Sequence, residues 1–451
     1  MTALKKFKVL DLTRARAGPT CVKQFSDFGA DVIKIEMSAK TGTSQFSGTR
    51  SGPDMQNLHR NKRSMTLDLK NPVGRDIFYR LVKTADVVVE NFRPDVKLRL
   101  AIDYETLKKI NPRIILVSIS GFGQDGPYLK RPMFDQIAQG MSGIMSVTGA
   151  PGGGPMRAGV AITDITAGYI AACGALTALL EREVSGQGQW VQSSLVQAGV
   201  AMMDFQAARY LMEGDVALQV GNDHPTSMPT SCYQSSDGYM NVAATGEAMW
   251  LSLCDVIEHP HLKDDPRFHS ESMRVQHRSE LSQTLIPIFK AKPKAYWVER
   301  LNAVGVPTGP IYDMAEVFND PQVISQAMSV EVSHPSKPPL KLVNQAVKLS
   351  RTPAKIATQT PDLGEHSDEI LKELYYTEEE ILEEAKHQAK TEGDRIILGA
   401  KAEIDQEVNR AKESLREQVS TLAIAGAEKI LSKEIDKKAH SDMLSKLAKE
   451  L

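Results

Sequence analysis

The sequence predicts an α/β protein built on a parallel sheet, followed by a smaller lobe and a long helical tail. Three observations carry this expectation. Strand-like runs alternate with helical stretches over the first 120 residues, the pattern becomes mixed from about residue 220, and the composition changes abruptly near residue 377.

The first strand-like run is KVLDL (8–12), ending at a small-residue stretch that contains Ala17-Gly18-Pro19. A helical segment follows, and DVIKIE (31–36) reads as a second strand through its alternating apolar positions. The polar, Gly/Ser-rich segment 38–55 is too long for a simple turn and is a candidate functional lid. SMTLDL (64–69), a helix at 72–84, ADVVVENF (85–92), a helix near 103–110 and RIILVSIS (113–120) continue the alternation. Residues 164–183, DITAGYIAACGALTALLERE, read as a long helix of small residues opened by an aspartate cap. Strand signals at YMNVAAT (239–245) and helices around 248–257 and 277–291 form the second lobe, and the chain from 340 to 372 returns toward the first.

From Thr377 to Leu451 there is no Pro, Phe, Tyr, Trp or Cys, and Ala and charged residues dominate. Apolar residues fall at Ile397, Ala400, Ile404, Val408, Ala411, Leu415, Val419 and Leu422, an 11-residue repeat. Such a period favours a right-handed supercoil with a partner helix; an amphipathic helix lying on the main domain is the alternative.

A chain of 451 residues can bury more than one core. Its 54 Lys and Arg nearly balance 56 Asp and Glu, which removes any global electrostatic argument for nucleic acid or a membrane surface. No run approaches the roughly 18 apolar residues that span a bilayer, so no membrane insertion is expected. The opening MTALKKFKVLDLTRA turns polar too early for a signal peptide. Cys21, Cys173, Cys232 and Cys254 are scattered, as reduced thiols in a cytoplasmic protein would be.

Several motifs fail on their surroundings. GFGQDG (121–126) satisfies G-x-G-x-x-G after a strand, but Pro127 and Pro132 prevent the helix that a dinucleotide site requires. PGGGPMRAG (151–159) lacks the lysine of a phosphate-binding loop. His259 and His261 flank a proline with no matched carboxylate spacing, so no metal site is expected. No G-x-S-x-G elbow is present. Asp164, in AGVAITDITAG, remains. It is either an ordinary helix cap or a carboxylate nucleophile with backbone N–H groups near enough to stabilise an oxyanion.

VLDLTRARAGP (9–19), GADVIKIE (29–36), NKRSMTLDLK (61–70), ADVVVENFRP (85–94), NPRIILVSISGFGQDGP (111–127) and AITDITAGYIAACGALTALLERE (161–183) form an ordered set of motifs. Together they resemble the family III CoA transferases, which include formyl-CoA and carnitine CoA-transferases with α-methylacyl-CoA racemases as relatives. GNDHP (221–225), DPRF (265–268), VGVPTGPI (304–311) and LGEHSDEIL (363–371) extend the resemblance across about residues 5–376. It implies a Rossmann-like CoA-binding and catalytic lobe (1–220), a smaller α+β lobe (221–335), a return segment (336–376) and an interlocked homodimer. Coenzyme A is then a substrate, with no permanently bound cofactor, and acyl-CoA and small carboxylates are the reactants.

Carried over by position, Asp164 matches the family's catalytic aspartate, which forms anhydride and CoA-thioester intermediates. Arg14, Ala15, Arg16 and Ala17 match a segment lining the CoA site, Asn91 and Phe92 another contact, and Arg99 a phosphate-facing arginine. A solvated surface charge is the alternative for Arg14 and Arg99. Asp135, in MFDQIAQG, matches an acidic position that shapes the acyl pocket; a buried structural carboxylate is the alternative. Racemases place a histidine before this aspartate, where Phe134 stands here, so racemisation is disfavoured. The tetraglycine loop of formyl-CoA enzymes is not visible between 215 and 250.

The tail (377–451) is similar to the C-terminal half of bacterial ATP synthase subunit b, most specifically at LREQVSTLAIAGAEKIL, with a junction near 376–382. That resemblance implies self-association or binding of the synthase δ subunit. A structural stalk role is therefore the competing function.

Overall fold

The structure, a computed structural model, describes residues 2–37, 49–334, 337–375 and 378–431. Most of the candidate lid lies outside the described residues. The chain divides into two compact units, Met1–Ser367 and Asp368–Leu451.

The first unit is organised by six parallel strands: β1 (Lys8–Asp11), β2 (Asp31–Glu36), β3 (Arg63–Thr66), β4 (Val87–Glu90), β5 (Ile115–Ser120) and β6 (Trp190–Ser194). Their order is β3-β2-β1-β4-β5-β6, that of the doubly wound dinucleotide-binding fold. Val9 lies between Val32 and Val87, which fixes β1 at the centre. β4 and β5 are buried at every position, as strands covered on both faces must be, and this is why they read as continuous apolar runs.

Helices α1 (Ala17–Asp27), α2 (Pro53–His59), α3 (Pro72–Thr84), α4 (Pro94–Arg99) and α5 (Tyr104–Ile110) fill the crossovers. α3 begins where expected, because Pro72 occupies its first turn and the Asn71 side chain accepts the Val73 N–H. After β5 come α6 (Asp135–Met141), α7 (Ile144–Val147), α8 (Ile162–Ser185), α9 (Leu195–Met202) and α10 (Asp204–Glu213). No helix follows GFGQDG directly, since the next one starts at Asp135.

Two sequence expectations need correction. α8 starts at Ile162, so Asp164 lies inside the first turn and the cap position belongs to Ala161. β6 was not anticipated: WVQSS is half polar, and its pairing with β5 supplies what its composition lacks. α8 is also long and apolar enough, by length and composition, to cross a membrane, which the search for unbroken apolar runs missed. Ala167, Ala171, Ala175 and Ala178 of α8 are instead buried against α1 and the sheet, and Gly186 in the left-handed conformation ends the helix.

The smaller lobe pairs β7 (Thr230–Ser235), β8 (Gly238–Ala243) and β9 (Thr308–Pro310) with α11 (Gly246–Val256), α12 (Glu271–Gln276), α13 (Arg278–Lys290) and α14 (Lys294–Ala303). Its core gathers Trp250, Phe268, Phe289 and Trp297 around Tyr233. The hairpin β10 (Ser329–His334) and β11 (Lys337–Val343) follows. The chain then returns to the large lobe, where Asn61 accepts the N–H groups of Ala357 and Thr358, and the Thr360 hydroxyl donates to the Met55 carbonyl.

In the second unit one helix runs from Glu378 to Leu431, 54 residues and so about 80 Å long. Ile397, Ile404, Val408, Leu415 and Leu422 of the apolar repeat are exposed along it.

Candidate active site

β1 and β4 are neighbours whose connections leave in opposite directions, and this switch point opens a crevice at their carboxyl ends. A cleft of about 900 Å³ occupies it. Leu12, Thr13 and Arg14 after β1, and Asn91, Phe92 and Arg93 after β4, form its floor, with Arg99 of α4 at one side. Seven Lys and Arg side chains line the cleft against Glu36 and Asp68, so its field favours an anion.

Backbone hydrogen bonds hold the floor together. The Arg14 N–H donates to Asn91 Oδ1 at 2.9 Å, and Asn91 Nδ2 donates to the Arg14 carbonyl at 2.8 Å. The Phe92 N–H donates to the buried Glu90 carboxylate at 2.8 Å. The Arg14 guanidinium lies 5.9 Å from the Phe92 ring centre. Among the described residues Arg99 pairs with Asp95, one turn away at 3.3 Å, and it stays exposed. Ala15 takes a left-handed φ of 57°, which turns the chain sharply into α1.

Beneath the floor lies a buried charge cluster that the sequence reading missed. Asp11 accepts from Lys62 Nζ at 2.8 Å and from the Thr13 N–H and hydroxyl at 2.9 and 2.6 Å. Lys34 Nζ donates to the Thr13 carbonyl at 2.9 Å, and His59 Nδ1 lies 3.2 Å from Lys62 Nζ. Burial alone would raise the Asp11 pKa, but Lys34 and Lys62 overcome that and hold it at about 2. Burial first, then the same two lysines, push His59 well below its usual pKa, so the imidazole is neutral. The available signal was a lysine at position 34 inside an otherwise apolar strand.

The turn that carries Arg14 also leads to Asp164. α1 begins at Ala17 and packs on α8 so closely that a Cβ on Gly168 would sit 2.5 Å from the Ala17 carbonyl oxygen. Arg16 is thereby near enough to act electrostatically on Asp164, while its own guanidinium pairs with Asp54 at 2.8 Å.

Asp164 is half-buried, and its carboxylate has no hydrogen-bond partner among the described residues. Burial and the neighbouring charge of Asp135 raise its pKa to about 6, against the lowering influence of Arg16. Asp135 is the better satisfied of the two carboxylates. Its Oδ1 accepts the Thr163 N–H at 2.9 Å and the Thr163 hydroxyl at 2.7 Å, and its Oδ2 accepts from Gln139 at 2.7 Å. It thus caps α8 from another helix, a task Ala161 cannot perform. Arg157, in the segment before α8, stands 3.9 Å from Asp135 Oδ2.

The predicted residues therefore fall into two connected groups. Arg14, Asn91, Phe92 and Arg99 line the cleft. Ala15, Arg16 and Ala17 lead from it to Asp164 and Asp135. Among the described residues no group of three His, Cys, Asp or Glu side chains is arranged to hold a metal.

The fold agrees with the comparisons. The chain belongs to CoA-transferase family III, whose family model matches residues 4–367. The model for the ATP synthase B/B′ subunit of CF(0) matches residues 354–432, overlapping the end of the first match and then following the long helix. The chain is 35% identical over 381 residues to the succinate–glutarate CoA-transferase of Agrobacterium fabrum, covering 82% of this chain and 95% of that one. It is 34% identical over 376 residues to the human succinyl-CoA:glutarate CoA-transferase, covering 82% and 86%. A crystal structure of a CAIB/BAIF family protein from Brucella suis superimposes with a TM-score of 0.73 at 34% identity, covering 83% of this chain and 99% of that one. The protein is a CoA-transferase that acts on CoA thioesters and carboxylic acids.

Proposed function

We propose that the enzyme moves CoA between short dicarboxylic acids through covalent intermediates on Asp164. The observation that carries this reading is the Asp164 carboxylate: half-buried, free of hydrogen bonds among the described residues, and under the charge of Arg16, two residues beyond the cleft-lining Arg14. A carboxylate stripped of solvent and partners is a stronger nucleophile than a solvated one. Its position in the first turn of α8 leaves backbone N–H groups nearby for the oxyanion that forms.

An Asp164 oxygen attacks the donor thioester carbonyl and expels the CoA thiolate, leaving an acyl–aspartyl anhydride. The thiolate attacks the aspartyl carbonyl of that anhydride, releases the donor acid and leaves an aspartyl-CoA thioester. The acceptor carboxylate attacks this thioester, expelling the thiolate and forming a second anhydride. The thiolate then attacks the acyl carbonyl, giving the new acyl-CoA and free Asp164. No net proton or electron is consumed. The cleft's basic lining would hold the CoA phosphates throughout, and the exposure of Arg99, whose pairing among the described residues is within its own helix, supports a role for it at one of them.

The acid class follows the succinate and glutarate named for the relatives. Phe134, immediately before Asp135, cannot move a proton, which speaks against racemisation. Asp164→Ala tests the reading: acyl-CoA:carboxylate exchange is lost while circular dichroism remains native. Persisting exchange would refute it.

A homodimer is part of the proposal. α8 and α10 expose Leu180, Val184, Leu211 and Met212, each more than 70% accessible, and no residue of α10 is buried. Exposed apolar side chains of this size are what a partner copy would cover. The exposed repeat of the long helix suits association with a second helix or a stalk subunit such as δ. We place the enzyme in the cytoplasm.

A further inference from the structure

The segment between α7 and α8 contains the glycine-rich PGGGPMRAG, which matches no phosphate-binding loop. It is nevertheless firmly held. Gln219 Nε2 donates to the carbonyls of Thr148 and Gly154, at 2.5 and 2.7 Å, and the Gly221 N–H donates to the Gly149 carbonyl at 3.0 Å. At its far end the Ala158 N–H donates to Gln139 Oε1 at 2.8 Å, and Gln139 Nε2 donates to the Val160 carbonyl at 3.1 Å. The same Nε2 holds Asp135. Arg157 is thus carried on an anchored segment, beside the carboxylate that caps the Asp164 helix.

Arg157 does not behave like the structural arginines of this protein. Arg60 is buried and bidentate to Asp27, at 3.0 and 2.7 Å. Arg182 is buried and donates to Asp86 at 2.7 Å. Arg157 instead has a side chain 47% exposed, approaches Asp135 only to 3.9 Å, and makes no hydrogen bond among the described residues. A guanidinium carries five N–H donors in a planar fork suited to a carboxylate. Here that fork is unused. Arg16, whose charge acts on Asp164, is already engaged by Asp54.

We propose that Arg157 is a specificity residue that binds the distal carboxylate of a dicarboxylic acid whose other carboxylate reacts at Asp164. Asp135 links the two: its Oδ2 is 3.9 Å from Arg157, and its Oδ1 is 3.5 Å from the Asp164 backbone N, so a single carboxylate lies between the cation and the turn that carries Asp164. A succinyl or glutaryl chain, with two or three methylene groups between its carboxylates, has to span from the Asp164 carboxylate to this guanidinium. A monocarboxylate would leave the guanidinium to water. Binding at a remote cation also helps position the reacting carboxylate, so discrimination appears in kcat/KM.

This inference rests on the CoA-transfer reading above, and its test separates the two. Exchange is measured from one CoA donor, fixed at saturation, to glutarate and to pentanoate, which has the same carbon count but lacks the second carboxylate. The wild-type enzyme is expected to favour glutarate, and Arg157→Gln should lower kcat/KM for glutarate by about 10- to 100-fold, the size of a charge-assisted pair. Pentanoate exchange should stay within about twofold, and Arg157→Lys should recover part of the glutarate preference. Equal loss for both acids would show a structural role and overturn the proposal, as would an unchanged glutarate rate. If wild type transfers CoA to neither acid, the reading beneath it fails as well.

Discussion

One buried carboxylate holds the turn that presents another: Asp135 Oδ1 accepts the Thr163 N–H at 2.9 Å and lies 3.5 Å from the Asp164 N. The two acids are chemically alike but differently supported. Asp135 is fixed by Thr163 and Gln139, whereas the Asp164 carboxylate is left without hydrogen bonds among the described residues.

Asp135→Asn should therefore change both rate and pH dependence. The Asn oxygen can still accept the Thr163 N–H, but the negative charge that raises the Asp164 pKa is gone. The acid limb of the kcat/KM profile, expected near pH 6 in the wild type, should move to lower pH. Maximal activity should fall because the loaded turn is less firmly set. An acid limb that does not move would show that Asp164 is not the titrating group.

Asp164 should cost stability when ionised. Its folded pKa of about 6 is above the ordinary 3.8, so its stabilising contribution is present below about pH 4 and lost as pH rises through 6. Asp164→Asn is thus expected to gain about 1–3 kcal/mol at pH 8 and little at pH 4, read by urea unfolding.

Lys62 is expected to matter far more for folding than for chemistry. Lys62→Met leaves Asp11 buried with Lys34 only at 3.9 Å, a loss of about 3–5 kcal/mol, visible as a lower urea midpoint at unchanged m.

Arg99→Ala addresses the cleft. Because Arg99 is exposed and, among the described residues, paired only with Asp95, folding should be unaffected. KM for the acyl-CoA should rise about tenfold with kcat nearly constant, and the difference should shrink at high salt.

Much of this architecture is legible in the sequence, for physical reasons that differ by element. Buried parallel strands such as β4 and β5 must be apolar throughout, so VVVE and ILVSIS stand out. Residues 72–84 announce their helix through an Asn cap and a proline in the first turn. β6 does not announce itself, because its identity comes from pairing with β5. The motifs around Asp164 resemble those of the family's catalytic aspartate, yet local sequence alone suggests a helix cap. The true cap is Asp135, 28 residues before the Thr163 it holds, and no local pattern encodes that contact. The Asp11–Lys62 pair, 51 residues apart, is hidden for the same reason. Arg157 carries no local signal of its own, since PGGGPMRAG reads only as a phosphate loop without its lysine.

On the proposed mechanism Asp164 carries CoA covalently. The decisive measurement is to incubate the enzyme with acyl-CoA, add hydroxylamine and map peptides by mass spectrometry. A hydroxamate on the peptide bearing Asp164, formed only with acyl-CoA present, is the expected result; steady turnover with no modification there, or with modification at another residue, would contradict it.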